Sequence, residues 1–243
     1  MDPLTDAANA NARRTTLVLL AVAAVAGAVV AGLLAAVGQP LPGLAAGLVV
    51  GGLAAAWAWA GAEARVLRVL GARPVGATEE PGLHNLTEAL CAVAGLPKPG
   101  LHVVDDEALN ALAVGRDPRR AALVVTTGLL ASLERIELEG VLAHELAHVK
   151  ALDSRVGAVA ALLAPLGRRV VTAVAGDDHE EAADAAGVAM TRYPPGLLRA
   201  LEKLAAAPTA LAAGAGATAH LWLAPDRPAA TSLTHRIDAL REL

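Results

Sequence analysis

Val141-Leu142-Ala143-His144-Glu145-Leu146-Ala147-His148 is the stretch that decides how this chain folds. It sits inside Ile136 to Ala151, which reads as a helix. On a helix, residues four apart share a face, with Cβ atoms about 5–6 Å apart. His144 and His148 can therefore both reach one Zn²⁺ at the ~2.0–2.1 Å of a zinc–imidazole bond. Glu145 stands beside the first histidine, where its carboxylate can take a proton from a water that the metal has made acidic. The neighbours Val141, Leu142, Ala143, Leu146 and Ala147 are apolar and suit burial.

A catalytic zinc needs a third protein ligand and an open fourth position. The metzincin continuation would require Gly and His where this chain has Ala151 and Ser154, so that class is excluded. The other common third ligand is a glutamate on a later helix. Glu180-Glu181-Ala182-Ala183-Asp184 offers one. Glu180 and Asp184 are one turn apart, so Asp184 can hydrogen-bond the outer nitrogen of a ligand histidine while Glu180 binds the metal. Glu181 is the competing ligand, and its spacing from Asp184 disfavours it. The rival reading of this acidic stretch, with Asp177 and Asp178, is a solvated helix N-terminus.

Around this core the sequence predicts helices over Leu83 to Gly95, Glu180 to Met190, Gly196 to Ala207 and Ile237 to Leu243, and strands over Leu101 to Val104, Asn110 to Val114 and Leu123 to Thr126. Arg116-Asp117-Pro118 reads as a turn. Gly157 to Leu166 is apolar but only half a span long, and Arg168 and Arg169 follow it, so it reads as a buried or interfacial helix. Ala210 to Ala219 reads as an Ala/Gly loop.

The apolar excess lies N-terminal. The 243 residues are 55% hydrophobic with mean hydropathy +0.50, above the ~45–50% of a soluble domain. Leu17 to Val37 and Leu41 to Ala62 carry no charge, and each reaches the ~20 residues that cross a bilayer. With Gly38-Gln39-Pro40 between them they read as a transmembrane hairpin over residues 15–63. The rival is a cleaved signal peptide, against which stand the length of the first run and the second span that follows at once. Gly43, Gly47 and Gly51 either line a face where the first helix packs closely or reflect general Ala/Gly richness. Trp57 and Trp59 suit an interfacial belt. Arg13 and Arg14 before the spans, and Arg65, Arg68 and Arg73 after them, put both ends in the cytoplasm. Residues 1–14 are then a cytoplasmic tail and 73–243 a cytoplasmic domain at the cell (inner) membrane. The net charge of −4 gives no reason to expect nucleic-acid binding. The single cysteine, Cys91, allows no intrachain disulfide and reads as a core residue.

From about Arg73 onward the chain resembles peptidase family M48, the HtpX-like zinc metallopeptidases. The resemblance is carried by Asn110-Ala111-Leu112-Ala113 with Gly115, Thr126-Thr127-Gly128-Leu129-Leu130, Glu137 to His148 with Asp153, and Glu180-x-x-Ala183-Asp184. It implies an α+β fold, mainly α with a small β-sheet: a gluzincin-type metallopeptidase domain behind the helical hairpin. It implies one Zn²⁺ per chain on His144, His148 and Glu180, Glu145 as general base, Asp184 behind the ligands, and peptide or protein substrates at the lipid bilayer. Asn110 to Val114 matches the family's edge strand beside the cleft, which makes Asn110 and Ala111 candidate substrate contacts. His235 or Arg236 is the candidate oxyanion donor. His84, His102, His179 and His220 read as surface or core histidines.

The chain departs from the family in two places. Multi-span relatives insert two further transmembrane helices between the second histidine and the glutamate, where this chain has only the short stretch Gly157 to Leu166. Thr234-His235 also runs directly into Arg236-Ile237, closer together than in the family. The competing functional reading is a scaffold that kept the fold and lost turnover.

Overall fold

A computed structural model of the chain describes residues 3–166, 170–171, 174, 179–209, 211, 218–224 and 233–243. Asp177, Asp178, Arg168, Arg169 and all of 210–219 except 211, 218 and 219 lie outside the described residues.

Helices α1 (Pro3–Ala36) and α2 (Pro40–Ala60) pair as a hairpin. Gly38, at φ 79°, makes the left-handed turn between them, and Pro40 opens α2 with its fixed φ. Gly43, Gly47 and Gly51 are buried against α1. A Cβ on Gly47 would lie 2.5 Å from the Gly27 carbonyl oxygen and one on Gly43 would lie 3.0 Å from that of Ala31, so close packing, not mere composition, accounts for these glycines. The outer surfaces stay apolar and uncovered: Leu48 is 80% exposed and Leu53 65%. Among the described residues these two helices are long and apolar enough to cross a membrane.

Helix α1 begins well before the apolar run that marks it in the sequence. Residues 1–14 read as a tail in the sequence, yet from Pro3 on they belong to the helix and pack on the globular body, where Asn11 Nδ2 donates to the Ala151 carbonyl at 3.0 Å. Tertiary packing supplies here what composition does not. Helix α3 (Ala62–Val69), absent from the sequence reading, turns Ala62 and Val66 into the core directly beyond α2.

Four strands form one sheet: β1 (Arg73–Pro74), β2 (Gly100–Val104), β3 (Ala111–Gly115) and β4 (Ala121–Thr126), in the order β1-β2-β4-β3. β2 and β4 run parallel, and the other pairs are antiparallel. The expected strand at Asn110 is thus the sheet edge, shifted by one residue. β3 and β4 are buried along their whole length because both faces are covered. Ala111, Ala113, Leu123 and Val125 pack against α4 (Pro81–Ala94), α6 (Arg135–Ala151) and α9 (Pro194–Ala206). Leu112, Val114, Ala122 and Val124 pack on the opposite face with α3 and α7 (Asp153–Leu162). Cys91 on α4 is buried in the first of these layers.

The short helix α5 (Thr127–Ser132) is capped by Thr126, whose Oγ1 accepts from Leu129 N at 3.2 Å. α7 fulfils the expectation of a buried helix near Gly157, with Val156, Ala158, Val159 and Ala160 all inside. The described chain is completed by α8 (Glu180–Thr191) and α10 (Leu233–Arg241).

Candidate metal centre

Helix α6 starts at a capping box: Glu134 N donates to Glu137 Oε2 at 2.7 Å, and the Glu134 side chain accepts from Glu137 N. From Glu137 on, it is buried on nearly every face. Two glycines allow this. A Cβ on Gly140 would lie 2.5 Å from Leu197 N on α9, and one on Gly187 would lie 2.9 Å from His144 N. Gly187 therefore lets α8 cross against His144, which brings Glu180 and Asp184 to the histidine pair.

The His144 and His148 Nε2 atoms stand 2.9 Å apart. Glu180 Oε2 lies 3.6 Å from His144 Nε2, and Oε1 lies 3.7 Å from His148 Nε2. All three groups offer a ligand atom within 4.8 Å of the others. Two ligands at ~2.0–2.1 Å from a tetrahedral ion are themselves about 3.4 Å apart, so these separations suit one small divalent cation.

The outer nitrogens are also engaged. His144 Nδ1 is 2.7 Å from Asp184 Oδ1, and His148 Nδ1 is 2.8 Å from Asp153 Oδ2. With a proton on each outer nitrogen, facing its carboxylate, both Nε2 atoms can present lone pairs to a cation in the same space. Two imidazole nitrogens and a carboxylate converging on one space are a donor set that fits a cation. Both oxygens of buried Glu145 also lack a hydrogen-bond partner among the described residues.

Asp153 reaches His148 through an unusual turn. Leu152, between α6 and α7, is left-handed at φ 59°, a conformation that costs a non-glycine residue roughly 1–2 kcal/mol. The strain reverses the chain at once and sets Asp153 under the second histidine. Arg236 ties the other side. Its Nε and Nη2 donate to the two oxygens of Asp184, each at 2.7 Å, while Nη1 donates to the Leu223 carbonyl at 2.9 Å and lies 2.8 Å from Glu180 Oε2.

These neighbours set the protonation chemistry. Burial pushes the Glu145 carboxyl up to about 7, against the pull of both histidines. For His148 burial works downward, but the Asp153 carboxylate and the bond to it, with Glu180 and Glu145, hold it up at about 10. For Glu180 burial works upward, and the Arg236 guanidinium and the two histidines outweigh it, keeping the carboxyl well below the usual range. Surroundings that retain a proton on a buried imidazole also favour a cation there.

The structure brings His144, Glu145, His148, Glu180 and Asp184 together, with Arg236 behind Glu180 and Asp184, and engages the other sequence candidates elsewhere. Arg236 is 2% exposed and committed to Asp184, Glu180 and Leu223, so it braces the site instead of facing the cleft. His235 is exposed and pairs with Glu181 at 3.0 Å, outside the cleft. Asn110 is fully buried and clamps distant segments: Nδ2 donates to the Thr209 and Ala224 carbonyls at 2.9 and 2.7 Å, and Oδ1 accepts from Ala224 N at 3.0 Å. Ala111 spends its carbonyl on Leu223 N at 2.9 Å. Ala113, two residues further along the same edge, lines the cleft with Glu145 and His148. His179 and His220 also line it, against the expectation of ordinary surface or core histidines. Their position depends on the docking of α8 and of residues 218–224, which leaves no local sequence signal.

Comparison with known proteins identifies the family. The sequence profile of peptidase family M48 matches residues 77–218. A protease HtpX homolog of Tropheryma whipplei (strain Twist) is 34% identical over 197 residues, 65% of this chain and 68% of that protein. One of Nostoc punctiforme is 33% identical over 222 residues, 74% and 77% of the two chains. One of Dictyoglomus thermophilum is 34% identical over 187 residues, 61% and 62%. With the helical fold, the small sheet and the profile over more than half its length all in accord, this chain belongs to peptidase family M48, among its HtpX-like proteases.

Proposed function

We propose that the chain is a membrane-anchored zinc endopeptidase in which His144, His148 and Glu180 hold one Zn²⁺ and Glu145 is the general base. The observation that carries this reading is the convergence of two carboxylate-backed imidazoles and a glutamate on one space beside a buried carboxylate that has no partner among the described residues. When bound, the ion supplies Lewis acidity, polarising the scissile carbonyl and acidifying water. Glu145 takes the proton of the attacking water and passes it to the leaving amine. Asp184 and Asp153 fix the two imidazoles, and Arg236 holds Asp184 and Glu180 in register. An extended substrate adds to the β3 edge through the main chain of Ala113.

In this reading residues 15–63 cross the cell membrane as a hairpin, residues 1–14 stay on the cytoplasmic side, and 73–243 form the cytoplasmic peptidase domain. The uncovered apolar faces of α1 and α2 support it. So do the arginines stacked on the tryptophans at the end of α2, Arg65 at 3.9 Å from the Trp57 ring and Arg155 at 4.6 Å from the Trp59 ring. The substrates are then membrane or membrane-proximal proteins.

The test is casein cleavage and zinc content of the full chain in detergent. Glu145→Gln is expected to keep its zinc and lose cleavage by ~10²–10⁴-fold. Undiminished cleavage by that variant, or cleavage that survives removal of the metal, contradicts the reading. A zinc-loaded wild type that cleaves nothing favours the scaffold alternative.

A further inference from the structure

With Arg236 locked in the brace and His235 outside the cleft, the carbonyl oxygen of a substrate needs another donor. His179 is in position to be one. It immediately precedes α8 but makes no side-chain capping bond, so the helix terminus does not explain its orientation. Its ring stands edge-on to His148 with centroids 5.7 Å apart. Its Nε2 is 3.9 Å from Glu180 Oε1, too long for a hydrogen bond. The side chain is 27% exposed, against 10% for His148 and 0% for His144, so it is the histidine of this group most open to an arriving substrate. It lies outside the set of ligand atoms that fall within 4.8 Å of one another, beside the candidate ligands and not among them.

We propose that His179 is a catalytic residue that donates an N–H hydrogen bond to the scissile carbonyl oxygen as negative charge develops on it. This rests on the zinc-endopeptidase reading above. A neutral imidazole carries one N–H, so the role requires no change of charge. In the step itself the water oxygen bonds to the carbonyl carbon and a water proton passes to Glu145. The C–N bonding pair then leaves with the amine, which takes that proton from Glu145. His179 gives up none. A donor aimed at the oxyanion acts on the transition state, so its loss appears in kcat and spares KM.

The experiment compares His179→Ala and His179→Gln with the wild-type full chain for zinc content, steady-state cleavage of a fluorogenic peptide, and affinity for a phosphinic peptide that mimics the tetrahedral state. His179→Ala is expected to keep its zinc, to lose ~10²–10³-fold in kcat with KM within about threefold, and to lose phosphinate affinity in parallel; His179→Gln, which retains an N–H, recovers part of both. A His179→Ala enzyme within about threefold of wild type in kcat/KM overturns the assignment, as does loss of zinc from it, which would make His179 a ligand or its support. If the wild type cleaves, depends on Glu145 and is indifferent to His179, this proposal alone has failed. If it holds zinc and cleaves nothing, the endopeptidase reading has failed and takes this one with it.

Discussion

The hairpin α1–α2 and the crossing of α6 with α8 are built by the same device and used for opposite ends. In both, missing side chains let two helix backbones touch: Gly43, Gly47 and Gly51 against α1, Gly187 against His144. In the hairpin the close approach brings nothing polar with it, and the outer faces remain apolar and exposed. At α6–α8 the same closeness delivers Glu180 and Asp184 to a buried histidine pair, where Arg236 answers the added charge. Close packing is therefore permissive, and the residues one and two turns away from the glycine decide whether it yields an anchor or a site.

The sharpest way to break that comparison is to fill both contacts. Gly187→Leu is expected to push α8 off His144 and abolish zinc binding, whereas Gly47→Leu spreads the hairpin and leaves zinc affinity within about threefold; equal effects on zinc titration would erase the distinction. Next in size is Arg236→Met. It leaves Asp184 and Glu180 buried without their shared cation and should cost ~3–5 kcal/mol in denaturant unfolding, where a hairpin substitution leaves the transition of the globular body in place.

The charged centre should also respond to pH in a way the hairpin cannot. Glu145 at about 7 and His148 at about 10 both lie above their unfolded values, so in metal-free protein their bound protons stabilise the fold. That stability is present at low pH and lost as pH rises through about 7 and then about 10. Zinc takes the place of a proton on His148 and, by its charge, disfavours the one on Glu145. The gap in melting temperature between zinc-loaded and chelated protein should widen from about pH 6 to about pH 9, and a constant gap would contradict the assignment. The smallest effect is at the link between the two regions: Asn11→Ala, which removes the bond to Ala151, should cost ~1 kcal/mol in thermal unfolding.

What the sequence disclosed follows the range of the interactions involved. His144 and His148 declare themselves because a four-residue spacing is local, and the hairpin does so because a run of uncharged residues is local. Glu180 and Asp184 could be read for the same reason, one turn apart on one helix. The Asp153–His148 contact was hidden, because it depends on a left-handed Leu152 where no glycine marks the turn. Arg236 and Asn110 stand out in the sequence, but their contacts do not. Their partners lie far along the chain, Asp184 and Leu223 for one and Thr209 and Ala224 for the other, and no spacing rule reaches them. The first turns of α1 read as a tail because polar residues became helical only by docking on α6 and α7.

The central claim is the three-residue ligand set, and elemental analysis of the purified full chain tests it most directly. The wild type and Glu145→Gln are expected to carry about one Zn²⁺ per chain, and His148→Ala and Glu180→Ala a small fraction of that. A Glu180→Ala protein that still holds a full equivalent of zinc against a chelator would contradict it.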